Sequence, residues 1–322
     1  MGIAPFRRTL RSLSGNLRYS IIEPVTNGNT DYSGIIMAGN EKECMSKIFA
    51  YLFAQKDWDI FLLPDLPQGS PTLELVKSSR GDLPRFSISE GWICPYITIP
   101  DSKEKLLMGL SRRFRRGLQR SLRKLEREHG RVELKRYCEL DSLEEGLDVL
   151  FSLHQKRWTL RGETGVFDKQ EMRSIVLQTA KLFAEKNWAR LYFLTVNNRI
   201  VAAEYALEYG GRMYGHLCGF DPGFSKYSVG NLLLWKVLDD CVEKGISEFD
   251  FMQGNEAYKF DWTNKYRRSM NVRFVNDRFS SKLMSLIVDA TGMLEFYTQK
   301  ILPNKVFAAS ASAVLRKVFC LA

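Results

Sequence analysis

The stretch from Tyr214 to Trp262 holds the residue types and spacings suited to chemistry: YGHLCGFDPGFSKYSVGNLLLWKVLDDCVEKGISEFDFMQGNEAYKFDW. It predicts a strand, an irregular loop over Asp221–Ser228, and a helix opening near Val229 and Gly230. A strand ending at Asp250 and a short segment with Tyr258 and Lys259 follow. The first turn of a helix presents unpaired backbone N–H groups and the positive end of its dipole, so this turn is a ready seat for a phosphate or pyrophosphate. Gly230 lets a ligand approach the backbone closely, while Lys226 and Ser228 add a charge and a hydroxyl. Asp250 ends its strand at the carboxyl edge of the sheet, the usual ligand edge, and is a candidate general base or acceptor orienter; a structural hydrogen-bonding role is the alternative. A second carboxylate, Glu204, interrupts an apolar strand in which alternation puts Ala202, Glu204 and Ala206 on one face, so it is either a partly buried functional acid or an exposed strand residue.

Further upstream, His154, Arg157 and Trp158 come from one helix, with His154 and Trp158 sharing a face four residues apart. They read either as a sugar-stacking tryptophan with polar neighbours or as core residues. Cys218 has no histidine at a spacing that suggests an activated pair, so a thiol nucleophile is not expected. The three histidines and six cysteines show no metal-ligand spacing, so no metal is expected, and the cysteines read as reduced thiols of a cytosolic protein.

These groups must be positioned by a sizeable fold. The chain has 322 residues, 45% of them hydrophobic and 12% aromatic, as in a globular protein of two domains. No apolar run is long enough to span a bilayer, and the N-terminal basic residues are not followed by the apolar core of a signal peptide. The net charge of +10 is concentrated between Arg112 and Arg131, where nine basic residues face only Glu126 and Glu128. An apolar stripe at positions 106, 110, 114, 118, 122 and 125 makes this one long amphipathic helix with an arginine-rich outer face. That face is either solvated or a seat for an anionic partner, such as a membrane surface, a nucleic acid or an acidic sugar.

The first hundred residues read as a mixed α/β unit, with DYSGIIMA as a strand, EKECMSKIFAYLFAQ as a helix and DIFLLPDL as a buried strand. Ser70 caps a short helix with Pro71 in its first turn, and strands follow over 85–89 and 92–99. In the second half, VELKRYC is a strand, Asp141 or Ser142 starts a helix, and another starts at Asp168 in a reciprocal cap with Glu171. Three strands follow, separated by two-residue turns at Asn197–Asn198 and Gly210–Gly211. The segment 281–322 reads as amphipathic helices packed back on the body, or as an attachment to a membrane or partner.

FSLHQKRW, GFDPGFSKYSVGNLLL and EFDFMQGNEAYKFDW resemble the GNAT acyltransferases, and within them the branch associated with cellulose and exopolysaccharide (CelD-type). Their relatives are the Fem-type peptidyltransferases, with two GNAT-like domains in tandem. The resemblance is strong over residues 130–275 and weaker over 20–130. It implies an α+β fold of tandem GNAT-like domains, with mixed sheets flanked by helices: an N-terminal half over 1–110, a basic linking helix over 111–130, an acyltransferase domain over 131–280 and a helical tail over 281–322. It implies a coenzyme A pyrophosphate loop over Lys226, Tyr227, Ser228, Val229, Gly230 and Asn231, with backbone donors for the thioester carbonyl among Cys218, Gly219 and Phe220. Tyr258 and Lys259 form a family-like pair, read either as Tyr258 donating a proton or hydrogen bond with Lys259 neutralising phosphate or oxyanion charge, or as a surface lysine beside a packed tyrosine. The sequence departs from the family at Val229, often Pro, and at Gln253, often Arg. The expected activity is transfer of an acetyl group from acetyl-CoA to an amine or hydroxyl of a sugar or polysaccharide precursor, at a cytoplasmic site or one peripheral to the inner membrane face. An aminoacyl-tRNA-dependent peptidyl transferase, with the basic helix serving RNA, and a catalytically silent scaffold in polysaccharide assembly are the alternatives.

Overall fold

The structure is a computed structural model describing residues 1–14, 17–26, 30–79, 83–137, 140–160, 162 and 164–301, without the side chains of 14, 140–142 and 292–301. Cys138, Cys320, the tail beyond Ile301 and the cap side chains Asp141 and Ser142 lie outside these described residues. The chain divides into two compact units, Met1–Trp92 with Arg268–Ala322, and Ile93–Arg267. The basic helix is therefore part of the second unit, and the division falls at Trp92 rather than near residue 110.

The first unit contains β1 (Gly2–Ile3), β2 (Phe6–Ser14), β3 (Leu17–Pro24), β4 (Ile36–Met37), α1 (Glu41–Ala54), β5 (Ile60–Pro67) and α2 (Pro71–Ser78). β6 (Phe86–Thr98) runs from this unit into the second; a late strand and a final helix complete the first unit. Instead of two strands, 85–89 and 92–99 form the single β6, which passes through Gly91 because a side chain there would collide with the Ser269 hydroxyl. Asn40 and Ser70 cap α1 and α2 through Glu43 N and Leu73 N, as short polar side chains do at helix starts. The core is aromatic: Phe49, Phe61 and Phe274 meet with ring centroids 5.4–6.2 Å apart.

The second unit contains α3 (Lys103–Gly109), α4 (Arg112–His129), β7 (Val132–Tyr137), α5 (Leu140–Leu160), α6 (Gln170–Glu185), β8 (Ala189–Val196), β9 (Arg199–Tyr209), β10 (Arg212–Phe220), α7 (Val229–Glu243), β11 (Glu248–Asp250) and α8 (Ala257–Trp262). Its strands are ordered β6-β11-β10-β9-β8-β7, with β10 and β11 parallel and their other neighbours antiparallel. Period-two alternation divides the apolar side chains between two layers. Ala202, Ala206, Tyr192 and Leu194 face the layer of α4 and α7, whereas Ala203, Tyr205, Leu191 and Phe193 face α5 and α6. The hairpin turns are as the sequence demands: Asn197 and Asn198 have φ 45° and 65°, Gly210 and Gly211 58° and 72°.

Two expectations about helix starts need correction. The long basic helix is broken, because Leu110 is extended and Ser111 starts α4 by accepting a hydrogen bond from Phe114 N at 3.2 Å. Asp168 does not cap α6: it closes a 3₁₀ turn over Val166–Asp168, and Lys169 precedes α6 without a side-chain cap.

β12 (Tyr266–Val275) returns the chain to the first unit, where β12 pairs with β5 in the order β2-β3-β5-β12, and α9 (Phe279–Ile301) follows. No helix among the described residues is long and apolar enough to cross a membrane.

Candidate active site

The site grows from the entry into α7. After β10, Asp221 accepts from Gly223 N at 2.9 Å and pairs with Arg199 at 2.7 Å, turning the chain into a 3₁₀ segment over Pro222–Tyr227. Ser228 then adopts a left-handed conformation, φ 53° and ψ 42°, which no glycine relieves. After that bend the first turn of α7 lines a cavity of about 220 Å³, while Leu232, Leu233, Val237 and Leu238 anchor the helix in the core. Ser228, Val229, Gly230 and Asn231 all line the cavity. A methyl group on Gly230 would meet Phe220 at an ordinary 3.7 Å, so the space beside this turn is open.

Opposite the helix is the splayed part of the sheet. β11 accompanies β10 only from Arg212 to Tyr214, and β10 is irregular between Gly215 and Leu217 before continuing to Phe220. Cys218 and Phe220 line the cavity. Gly219, between them, faces α5, where a Cβ would lie 2.5 Å from the His154 backbone nitrogen. Burial pushes the Cys218 thiol up to about 12, so it stays protonated.

Glu204 enters the cavity from β9, directly across from Cys218. Burial raises its carboxyl from 4.5 to about 8, an effect that the Lys259 charge only partly offsets. Its Oε1 lies above Gly215, where a Cβ would come within 3.0 Å, so the missing side chain makes room for the carboxylate. Tyr258 and Arg157 complete the polar lining. Burial raises the Tyr258 phenol above its ordinary value. Arg157 lies over the Phe220 ring at 5.3 Å, and its buried Nε has no hydrogen-bond partner among the described residues.

The other sequence candidates lie around the cavity rather than in its lining. Asp250 is fully buried, but it alternates with the lining residues Phe249 and Phe251; its Oδ1 accepts from Met252 N at 2.8 Å and its Oδ2 from Arg267 at 3.4 Å. Lys259, also buried, donates to the Gln253 carbonyl at 2.6 Å and pairs with Glu256 at 3.0 Å. Lys226 and Tyr227 turn toward α4, where Tyr227 is fully buried. His154 accepts from Trp158 Nε1 at 2.9 Å, and burial, with Arg157 second, pushes its imidazole down to about 4. The sequence reading missed Ser225, Gly215, Leu234, Phe249 and Phe251 in the lining. Only Phe249 and Phe251 had a usable signal, as the alternation partners of Asp250.

The match with known proteins falls on this part of the chain. Residues 112–260 match the acetyltransferase (GNAT) domain family, and every cavity-lining residue lies within that range. A comparison with curated proteins returns no significant match. Among solved structures, FemX is similar over 88% of this chain and 90% of its own, with a TM-score of 0.59 and 12% identity. The C-terminal domain of a putative lysylphosphatidylglycerol synthetase from Agrobacterium fabrum aligns over 89% of this chain and 88% of its own, with a TM-score of 0.52 and 10% identity. L-PGS from Bacillus licheniformis aligns over 83% of this chain and 81% of its own, with a TM-score of 0.52 and 12% identity. At these identities the likeness is one of fold. Residues 112–260 are thus similar to the acetyltransferase (GNAT) domain family, and they include most of the second unit's mixed sheet.

Proposed function

We propose that the protein moves an acetyl group from acetyl-coenzyme A to an amine or hydroxyl of a sugar or polysaccharide precursor, by direct attack on the thioester. The observation that carries this reading is the opening of α7, from Ser228 to Asn231, onto the cavity that also holds Glu204 and Tyr258. Unpaired N–H groups at that turn suit a pyrophosphate, and the apolar walls Phe220, Leu234 and Phe249 suit the uncharged arm leading to the thioester. Glu204, with a carboxyl near 8, takes the proton of the acceptor as its nitrogen or oxygen attacks the carbonyl carbon. The carbon–sulfur bond then breaks, and Tyr258 is the group in the lining suited to protonate the departing thiolate. The protonated Cys218 takes no covalent part. A polysaccharide-type acceptor follows the resemblance to the CelD-type branch.

Isothermal titration with acetyl-CoA and with free coenzyme A tests the reading. Micromolar binding that Gly230→Glu abolishes is the expected result, because the new carboxylate occupies the anion seat. A folded protein that binds neither compound sinks it. An aminoacyl donor carried on tRNA is the second reading, favoured by Arg112, Arg113, Arg116 and Arg120. These side chains are exposed along α4, and no carboxylate among the described residues pairs with them. Binding of charged tRNA in place of acetyl-CoA would select it.

A further inference from the structure

Among the described residues that line the cavity, one is fully charged at neutral pH, and it is Arg157. The other titratable groups in the lining are Glu204, Cys218 and Tyr258. Burial pushes the Glu204 carboxyl up to about 8 and the Cys218 thiol up to about 12, and it raises the Tyr258 phenol. All three are therefore neutral or nearly so. The Lys259 charge beside them is already paired with Glu256 at 3.0 Å. No carboxylate among the described residues pairs with Arg157.

The side chain is held in a particular way. α5 packs on the face of the sheet opposite α7, and Arg157 lies in its last turn. Its guanidinium sits over the ring of Phe220, the last residue of β10, 5.3 Å from the centroid. A ring contact uses the flat face of a guanidinium and leaves its N–H edge unsatisfied. Arg157 Nε is buried on that edge and has no acceptor among the described residues. A buried donor without an acceptor costs free energy, which a ring contact does not return. The unfilled edge has the fork geometry that a carboxylate or a phosphate completes with two parallel hydrogen bonds.

The donor's own diphosphate already has a seat at the opening of α7, where Ser228 provides no side-chain cap. The Arg157 charge acts elsewhere, on Tyr258, Cys218 and His154, whose protons it makes easier to lose. Tyr258 is the group suited to the departing thiolate, so Arg157 stands at the reacting end of the cavity. The uncharged pantetheine arm separates that end from the diphosphate. Given the acyl-transfer reading of this cavity, on which the inference rests, we propose that Arg157 holds an anionic group of the acceptor. The acceptor is then an acidic sugar, bearing a carboxylate or a phosphate, and not a neutral one.

Titration of the full chain with glucuronic acid, glucose-6-phosphate and glucose tests this, read from the nuclear magnetic resonance signal of the Arg157 Nε–H. The two acidic sugars should shift that signal and saturate, with glucose roughly 10- to 100-fold weaker, the worth of hydrogen bonds to a charged group. Whichever acidic sugar binds more tightly tells carboxylate from phosphate. Arg157→Gln should bring both down to the level of glucose, and Arg157→Lys, which keeps the charge without the fork, should fall between. Coenzyme A should bind both variants as it binds the wild type. No preference for the acidic sugars in the wild type, including no binding of any of the three, overturns the proposal. So does an Arg157→Gln variant that loses coenzyme A in the same proportion, since the group then serves the donor. The wild-type comparison needs no substitution, so a variant that misfolds leaves the test standing. A wild type that binds neither coenzyme A nor acetyl-CoA fails the acyl-transfer reading itself, whatever the sugars do, so the two failures are told apart.

Discussion

The phenol of Tyr227 donates to Glu128 Oε2 at 2.5 Å and lies 2.8 Å from His129 Nε2, so the last turn of α4 holds the residue immediately before the strained Ser228. The Tyr227 hydrogen bond, together with nearby Arg127, Lys124 and Lys226, holds the Glu128 carboxyl below its ordinary range. A left-handed non-glycine residue costs free energy and persists only where its surroundings fix it. α4 therefore braces the entry into α7 without lining the cavity.

Tyr227→Phe removes the brace and keeps the ring packing. Donor affinity should fall roughly 3- to 10-fold, the worth of one hydrogen bond, with the secondary structure unchanged. Calorimetric titration of the variant against the wild type measures the difference. An unchanged dissociation constant would show that the loop holds its shape unaided.

The pH dependence of turnover should follow Glu204. Activity is expected to rise with pH through about 8 and then level off, and Glu204→Gln should lower kcat by about 10²- to 10⁴-fold and flatten the profile. Stability runs the other way. Because the folded pKa of Glu204 is raised, its contribution is full below 4.5 and is lost as pH rises toward 8. His154 has the opposite sign: its depressed folded pKa costs stability as pH falls from 6.5 toward 4. The Glu204→Gln variant should therefore melt progressively higher than the wild type as pH rises through this window, as a thermal series would read.

Asp250→Asn should leave the inflection near 8 in place, since Asp250 is aimed away from the cavity lining. Asp250→Ala should cost about 1–3 kcal/mol by leaving Met252 N without its acceptor and Arg267 with one carboxylate fewer. Denaturant titration separates this loss of stability from any loss of catalysis.

Gly219→Ala tests the contact between β10 and α5. The added methyl meets backbone atoms, which cannot rotate away, so destabilisation of about 1–3 kcal/mol is expected. Donor binding should weaken in parallel, because Cys218 and Phe220, its neighbours, both line the cavity.

Some of this was legible in the sequence because local signals agree. The two hairpin turns require positive φ and are written as Asn–Asn and Gly–Gly, and the apolar stripe of α7 follows an irregular loop. Orientation was not legible in the same way. Asp250 and Phe249 are adjacent, and choosing which one faces the ligand requires the register of β11 on β10 and β6. Lys226 and Ser225 are adjacent too, but only the path of the 3₁₀ turn sends one toward α4 and the other to the cavity. In α9 the periodicity marks an apolar row without saying that Ser281 and Ser285, on the opposite side, are buried.

The first unit is assembled from both ends of the chain, because β12 lies beside β5 and contributes Phe274 to its core. During synthesis the whole second unit emerges from the ribosome before that strand exists. The second unit can therefore complete its sheet while the first unit still waits with the edge of β5 unpaired. A growing chain in that state exposes the strand edge and the ring of phenylalanines behind it, which makes the interval before residue 275 the period of greatest risk of misassembly.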